Sequence, residues 1–280
     1  MPELPEVETI KCAVAKGIGN SRIDDILIRN PRLRVLVPED LPDKAKGCLI
    51  KAYRRIAKYI VIDLDNGLSL IWHMGMSGKV KISDNLPDVL EKHDHIVIRT
   101  TGGVIVYNDP RRFGVFTYCK TAEISENPLL RQTGKDPFSE DLTPQYLSGC
   151  LQKKKKTPIK QALLEQSIIA GIGNIYASEI LYESAISPLR PSGTITLEEC
   201  KCLIENTRKV LQKAIDAGGS TLRDYKKPDG SLGYFQNMHC VYNKTGQKCP
   251  MCTCDIKQTG GIKKITQAGR STFYCESLQK

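Results

Sequence analysis

From Asp24 to Tyr118 the chain is a succession of short β-patterned runs parted by tight turns, and that pattern constrains the fold of its first half. Tyr59-Ile-Val-Ile-Asp-Leu64 and Leu68-Ser-Leu-Ile-Trp72 flank Asp65-Asn66-Gly67. Asn-Gly there predicts a type I′ hairpin, because both residues tolerate positive φ. His95-Ile-Val-Ile-Arg99 and Val104-Ile-Val-Tyr107 flank Thr-Thr-Gly-Gly as a second hairpin, and Gly114-Val-Phe-Thr-Tyr118 adds another strand. Short strands with close turns imply an antiparallel β-sandwich or barrel-like domain over residues 1–130.

Helical signals bracket this region. Pro5 suits a first helical turn, and Val7, Ile10, Ala13 and Val14 recur at helical spacing, so a buried helix is expected at the start. The polar, turn-rich stretch near residues 131–142 reads as a linker. Beyond it, Thr143-Pro144 and Thr157-Pro158 predict helix starts, and Thr196-Leu-Glu-Glu199 predicts a capping box whose helix stops at Gly218-Gly219. A helical domain over 143–237 and a cysteine-bearing finger of short strands over 238–280 complete an α+β chain.

The 41 basic and 31 acidic residues leave a net charge of +10, which points to a polyanionic partner. The 11 cysteines are an odd number, and many are scattered through ordinary helix and strand patterns. Reduced thiols in the cytoplasm are expected, with no disulfide framework. No stretch approaches the ~20 apolar residues of a membrane span.

The first six residues, Met1-Pro-Glu-Leu-Pro-Glu6, carry the clearest reactive chemistry. A small residue after the initiator predicts loss of Met1, leaving Pro2 with a secondary amine. An α-amino group titrates at about 7.7–8 against about 10.4 for lysine, so far more of it is nucleophilic at neutral pH. Its attack on a sugar aldehyde carbon gives an iminium ion directly, with Glu3 and Glu6 nearby as acid, base or water-positioning groups. Taken alone, such an opening is more often a capped helix start.

Further blocks accompany it: Ala57-Lys58-Tyr59, His73-Met-Gly-Met-Ser-Gly78, Asp109-Pro-Arg-Arg-Phe-Gly114, Gly171-Ile-Gly-Asn-Ile-Tyr-Ala-Ser-Glu179 and Gly269-Arg-Ser-Thr272. Together with Pro2-Glu-Leu-Pro-Glu-Val-Glu-Thr9 they resemble, in order and over nearly the whole chain, the formamidopyrimidine-DNA glycosylases. The resemblance implies an N-terminal sandwich with flanking helices, a helix, two turns, helix domain and a β-hairpin zinc-finger-like module. It also implies a base-excision-repair enzyme, a bifunctional glycosylase and abasic-site lyase acting as a monomer on damaged double-stranded DNA. Its substrates would be 8-oxoguanine and formamidopyrimidines. Two rival readings are a sister endonuclease VIII-like enzyme for oxidised pyrimidines and a non-catalytic DNA-binding protein.

By the same resemblance Pro2, Glu3, Glu6 and Lys58 are the catalytic group, Lys58 placing charge beside the reacting sugar. His73 approaches the DNA backbone. Met76, Arg111 and Phe113 fill the gap left by the extruded nucleotide, which costs a few kcal/mol to turn out. Asn174 follows Gly171-Ile-Gly173 at a tight turn between helices, where a helix start and its side chain suit a phosphate. A lysine of the 153–160 run, taken as Lys156, adds salt-sensitive affinity. Arg270 reaches the duplex from a hairpin tip, and the loop over 225–237 covers the extruded base.

The finger departs from the family pattern. Cys249-Pro-Met-Cys252 is a knuckle suited to a tetrahedral zinc ion, but the family's second Cys-x-x-Cys is here Cys275-Glu-Ser-Leu278. Three ligands are expected, Cys249, Cys252 and Cys275. The fourth position is open to Cys254, His239 or water, and a finger that folds without zinc also fits. Thr259-Gly260-Gly261 reads as an extended hairpin tip.

Overall fold

The computed structural model describes residues 1–220 and 233–280, so part of the expected 225–237 loop lies outside the described residues. Two compact units form. One comprises Met1–Arg131 with Ile215–Gln236, the other Gln132–Ala214 with Asn237–Lys280.

In the first unit, α1 (Leu4–Ile18) is followed by β1 (Ile23–Ile28), the short α2 (Leu41–Ala45), β2 (Ile50–Ile56), β3 (Tyr59–Leu64) and β4 (Leu68–His73). β5 (Lys79–Ser83), β6 (Asp94–Thr100), β7 (Gly103–Asn108) and β8 (Val115–Lys120) complete it. All strand pairs are antiparallel, in two four-stranded sheets ordered β1-β6-β7-β5 and β2-β3-β4-β8. Ile96, Ile98 and Ile105 of one sheet join Ile60, Ile62 and Leu70 of the other in a single core, with Val7, Ile10 and Val14 of α1. Trp72 anchors it, edge-on to Tyr107 and Phe116 at ring separations of 5.2 and 5.7 Å.

Two turn expectations change in detail. The β3–β4 hairpin forms, but only Gly67 of its turn has positive φ, at 78°, and Gly67 N–H donates to the Leu64 carbonyl at 3.3 Å. Three linking residues, Asp65, Asn66 and Gly67, favour a type I turn closed by a left-handed glycine over the two-residue type I′ form. The β2–β3 turn is tighter, Ala57-Lys58 alone, with Ala57 at φ 53°.

The second unit is built on α3 (Pro144–Lys153), α4 (Ile159–Leu163), α5 (Asn174–Glu183) and most of α6 (Leu197–Asp216). The Thr143 hydroxyl caps α3 by accepting from Tyr146 N–H at 3.1 Å. Thr196 and Glu199 form the expected capping box of α6, at 2.8 and 3.2 Å. Thr157 caps nothing; its carbonyl instead accepts both the N–H and hydroxyl of Ser192, and Pro158 stands before α4.

The finger comprises α7 (Ile256–Thr259), β9 (Lys263–Gln267) and β10 (Arg270–Tyr274). Its hairpin tip is Ala268-Gly269, both at positive φ, and Gly260 terminates α7 with φ 71°. The Thr259-Gly261 segment is therefore a helix end where a hairpin tip was expected: the Asp255 side chain caps this turn by accepting from Lys257 N–H. Among the described residues no helix is long and apolar enough to cross a membrane.

Candidate active site

The N-terminal residues of the first unit are held by α1's own start. Pro2, Glu3 and Glu6 are buried, while Met1 is 55% exposed. Glu6 accepts Glu3 N–H through Oε2 at 2.9 Å and Ser220 N–H through Oε1 at 2.8 Å. One carboxylate therefore fixes both Glu3 and the Gly219-Ser220 turn. Gly219 sits at φ +79°, and a Cβ there would come within 2.9 Å of Glu6 Oε1, so glycine is required at that approach.

Lys58 is buried at the β2–β3 turn. In register next to it, Tyr59 pairs with His73, and their rings lie 4.8 Å apart. Burial foremost, then the charges of Arg34, Lys58 and the terminal amine, pushes the His73 pKa down to about 4. The Gly75 N–H donates to His73 Nδ1 at 3.0 Å, which leaves the neutral ring's proton on Nε2 as a donor. The terminus, Lys58 and His73 thus share one neighbourhood.

Arg55 braces it. Its Nε donates to Glu8 of α1 at 2.9 Å and its Nη1 to the Ala57 carbonyl at 3.2 Å, joining the terminal helix to the Lys58 turn. Met76 and Phe113 are 41% and 45% exposed. The Arg111 guanidinium lies over the Phe113 ring, 4.7 Å from its centroid. Arg111, Arg112 and Phe113 line an open cleft of about 500 Å³ with Arg32, Leu33 and Arg34.

In the second unit the 153–160 lysines separate. Lys156 is exposed, whereas Lys160 is 1% exposed and donates to Asn174 Oδ1 at 2.6 Å, Thr272 Oγ1 at 2.8 Å and the Ser271 carbonyl at 3.1 Å. Asn174 Nδ2 donates to the same Ser271 carbonyl at 2.9 Å. The start of α5 and the Arg270 hairpin are thereby tied together. Gln166 shapes the turn before Asn174, accepting Gly171 N–H at 3.0 Å and donating to the Ile172 carbonyl at 2.8 Å.

The family model of the formamidopyrimidine-DNA glycosylase N-terminal domain matches residues 1–116, and that of the family's H2TH domain matches residues 133–226. A formamidopyrimidine-DNA glycosylase of Rhodospirillum rubrum is 41% identical, both chains being covered completely. The chain belongs to the formamidopyrimidine-DNA glycosylase family. Solved family structures agree. A Lactococcus lactis variant bound to Fapy-dG-containing DNA superimposes with a TM-score of 0.89 at 35% identity, and a MutM protein with carbocyclic 8-oxo-G DNA with 0.88 at 35%. Each comparison covers the whole of both chains.

In this family member the Sγ atoms of Cys249, Cys252 and Cys275 lie within 4.8 Å of one another. Cys252 N–H donates to Cys249 Sγ at 3.4 Å, as a metal-binding knuckle requires. Three thiols so placed suit a tetrahedral ion with one ligand to be supplied. Leu278, at the family's fourth position, packs as an aliphatic group beside them.

Two residues that sequence reasoning passed over also shape the finger. Glu179 of α5 is buried and accepts the N–H groups of Cys240, Val241 and Tyr242 at 2.8, 3.0 and 2.7 Å. Burial pushes its pKa up, and those three donors oppose the shift. The Tyr182 hydroxyl lies 3.3 Å from Cys249 Sγ and accepts Met251 N–H at 3.1 Å. Glu179 could have been found from its place in the Asn-Ile-Tyr-Ala-Ser-Glu block; Tyr182 and Lys160 carried no distinguishing local signal.

Proposed function

We propose that the chain excises oxidised purines, 8-oxoguanine and formamidopyrimidines, from double-stranded DNA and then cleaves the abasic site by β,δ-elimination. The observation that carries this reading is the buried Pro2-Glu3 pair held by Glu6 beside Lys58 and His73, in a chain matching a family glycosylase end to end.

Freed of Met1, Pro2 attacks C1′ of the damaged nucleotide. Glu3 protonates the opening sugar as the base departs, and the new C–N bond becomes an iminium. That cation acidifies the C2′ proton, whose loss expels the 3′ phosphate; a second elimination expels the 5′ phosphate. Glu6 holds Glu3 and the 219–220 turn in place. Lys58 and the Nε2–H of His73 bind phosphates beside the reacting sugar, while Met76, Arg111 and Phe113 occupy the stack. Asn174, Lys156 and Arg270 add phosphate contacts from the second unit.

Cys249, Cys252 and Cys275 would hold a zinc ion, which would order the segment leading to the Arg270 hairpin. Cys254, two residues beyond Cys252, would be the candidate for the fourth ligand. Its thiol accepts from the Thr259 hydroxyl at 3.8 Å. His239 instead packs edge-on against Tyr242, with ring centroids 5.7 Å apart.

Single-turnover excision of 8-oxoguanine and of thymine glycol from matched duplexes tests the substrate assignment. Faster release of 8-oxoguanine supports it; faster release of thymine glycol assigns the chain to oxidised pyrimidines.

A further inference from the structure

We propose that the buried carboxylate of Asp109 is a positioning residue for base extrusion, clamping the loops of Met76 and of Arg111-Phe113 into one rigid wedge. This rests on the wedge role given above to Met76, Arg111 and Phe113.

Topology first sets the two loops side by side. Residues 74–78 leave β4 in one sheet and enter β5 in the other, while residues 109–114 leave β7 and enter β8 in the reverse sense. Both ends are pinned by strand register, His73 against Val115 and Lys79 against Asn108. The loops must therefore cross between the sheets as neighbours.

Gly75 lets the two loops touch backbone to backbone, and Gly78 and Gly114 make room for the Tyr107 ring and hydroxyl. A Cβ on Gly75, at φ +66°, would fall 2.5 Å from both the Phe113 carbonyl carbon and Gly114 N. One on Gly114 would meet the Tyr107 hydroxyl at 1.8 Å, and one on Gly78 the Met74 carbonyl oxygen at 2.1 Å. No side chain fits at the Gly75 approach itself. Hydrogen bonds align the loops around it, and Asp109 supplies acceptors.

Asp109 is fully buried. Oδ1 accepts the Ser77 hydroxyl at 2.6 Å; Oδ2 accepts Gly114 N–H at 2.9 Å and the Tyr107 hydroxyl at 3.1 Å. Ser77 Oγ in turn accepts Arg111 N–H at 3.2 Å. One carboxylate thus binds the residue after Met76, the residue after Phe113 and, through Ser77, Arg111 itself. Burial and the neighbouring Asp109 push the Tyr107 pKa up, so its hydroxyl remains a donor. Met76 and Phe113 gain nothing from this for their own burial, since both point outward. A rigid mount for exposed apolar groups serves insertion into a stack, where slack in the wedge would be lost as unstacking work.

The test compares Ser77→Ala and Asp109→Asn with wild type in single-turnover excision of 8-oxoguanine from two substrates. One is a fully paired duplex; in the other the lesion and its flanking bases are mismatched and already unstacked. Both variants are expected to lose roughly tenfold or more on the paired duplex and only a few-fold on the loosened one. The double variant is expected to be no worse than Asp109→Asn, since the two groups act as one unit. A 2-aminopurine beside the lesion should brighten less on binding. Folded Ser77→Ala protein, checked by thermal melting, that excises from paired duplex at the wild-type rate overturns the proposal. Equal losses on both substrates also overturn it, because they mean general damage. A Met76→Ala/Phe113→Ala variant separates the underlying reading: full activity there removes the wedge itself, whereas loss there with intact Ser77→Ala and Asp109→Asn activity rejects only the clamp.

Discussion

The ammonium of Lys160 stands 2.6 Å from the Asn174 side-chain oxygen, with only 1% of the lysine exposed. Since Lys160 also holds Ser271 and Thr272, it couples the Asn174 turn to the Arg270 hairpin. Lys160→Met would take this donor from Asn174 Oδ1 and Thr272 Oγ1, while Asn174 Nδ2 still serves the Ser271 carbonyl; a buried acceptor left without a donor costs about 1–3 kcal/mol. The expected outcome is a lower denaturation midpoint together with roughly tenfold or weaker binding to an abasic-site duplex by fluorescence anisotropy. Lys156→Met should lower affinity with a smaller salt slope and leave the midpoint unchanged, because that lysine is exposed.

Glu6 offers a second test of architecture against chemistry. Its two oxygens satisfy Glu3 N–H and Ser220 N–H, both buried. Glu6→Ala should destabilise the protein by about 1–3 kcal/mol and slow covalent trapping. Glu6→Gln should recover part of both losses, since its amide keeps one acceptor oxygen. Urea denaturation and trapping rates, measured on the same samples, check this.

The contrast between these two residues shows what was legible in the chain. Glu6 lies within an opening block whose helix start is written in local spacing, and the strands, the α3 cap and the α6 capping box were readable for the same reason. Lys160 was not separable from Lys153 to Lys156, because its partners Ser271 and Thr272 lie more than 100 residues away. Turn type failed at Asn66-Gly67, where loop length outweighed dipeptide preference. The finger failed at Thr259-Gly261, since a single helical turn carries no periodicity to detect. The Asp109 clamp depends on two loops meeting through strand register, which no local pattern reports.

Stability should fall on acidification in a window set by two buried histidines. Burial foremost lowers His73 to about 4, with Arg34 and Lys58 adding to it, and His239 likewise, with Lys244. A group with a depressed folded pKa contributes fully above its unfolded value, here 6.5, and that contribution is lost as pH falls toward about 4. At pH 5 each histidine should cost about 2 kcal/mol relative to neutral pH. Denaturation midpoints between pH 7 and 5 should fall in the wild type and fall less in His239→Gln. DNA affinity should show no titration of His73 near 6.5.

Metal content tests the finger. Elemental analysis should find one zinc per chain, lost in Cys249→Ser and Cys275→Ser and bound more weakly in Cys254→Ser. A chelator should lower the melting temperature of the wild type and leave Cys249→Ser unaffected. Unchanged metal in Cys249→Ser would reject the site; unchanged affinity in Cys254→Ser would assign the fourth position to another ligand.

The most direct test of the central claim is borohydride trapping on a duplex carrying 8-oxoguanine opposite cytosine, with the adduct located by mass spectrometry in protein shown to lack Met1. A single covalent adduct is expected on the Pro2 nitrogen, and none in a variant that retains Met1. An adduct on Lys58 or Lys160, or no adduct from folded protein whose first residue is Pro2, would contradict that assignment.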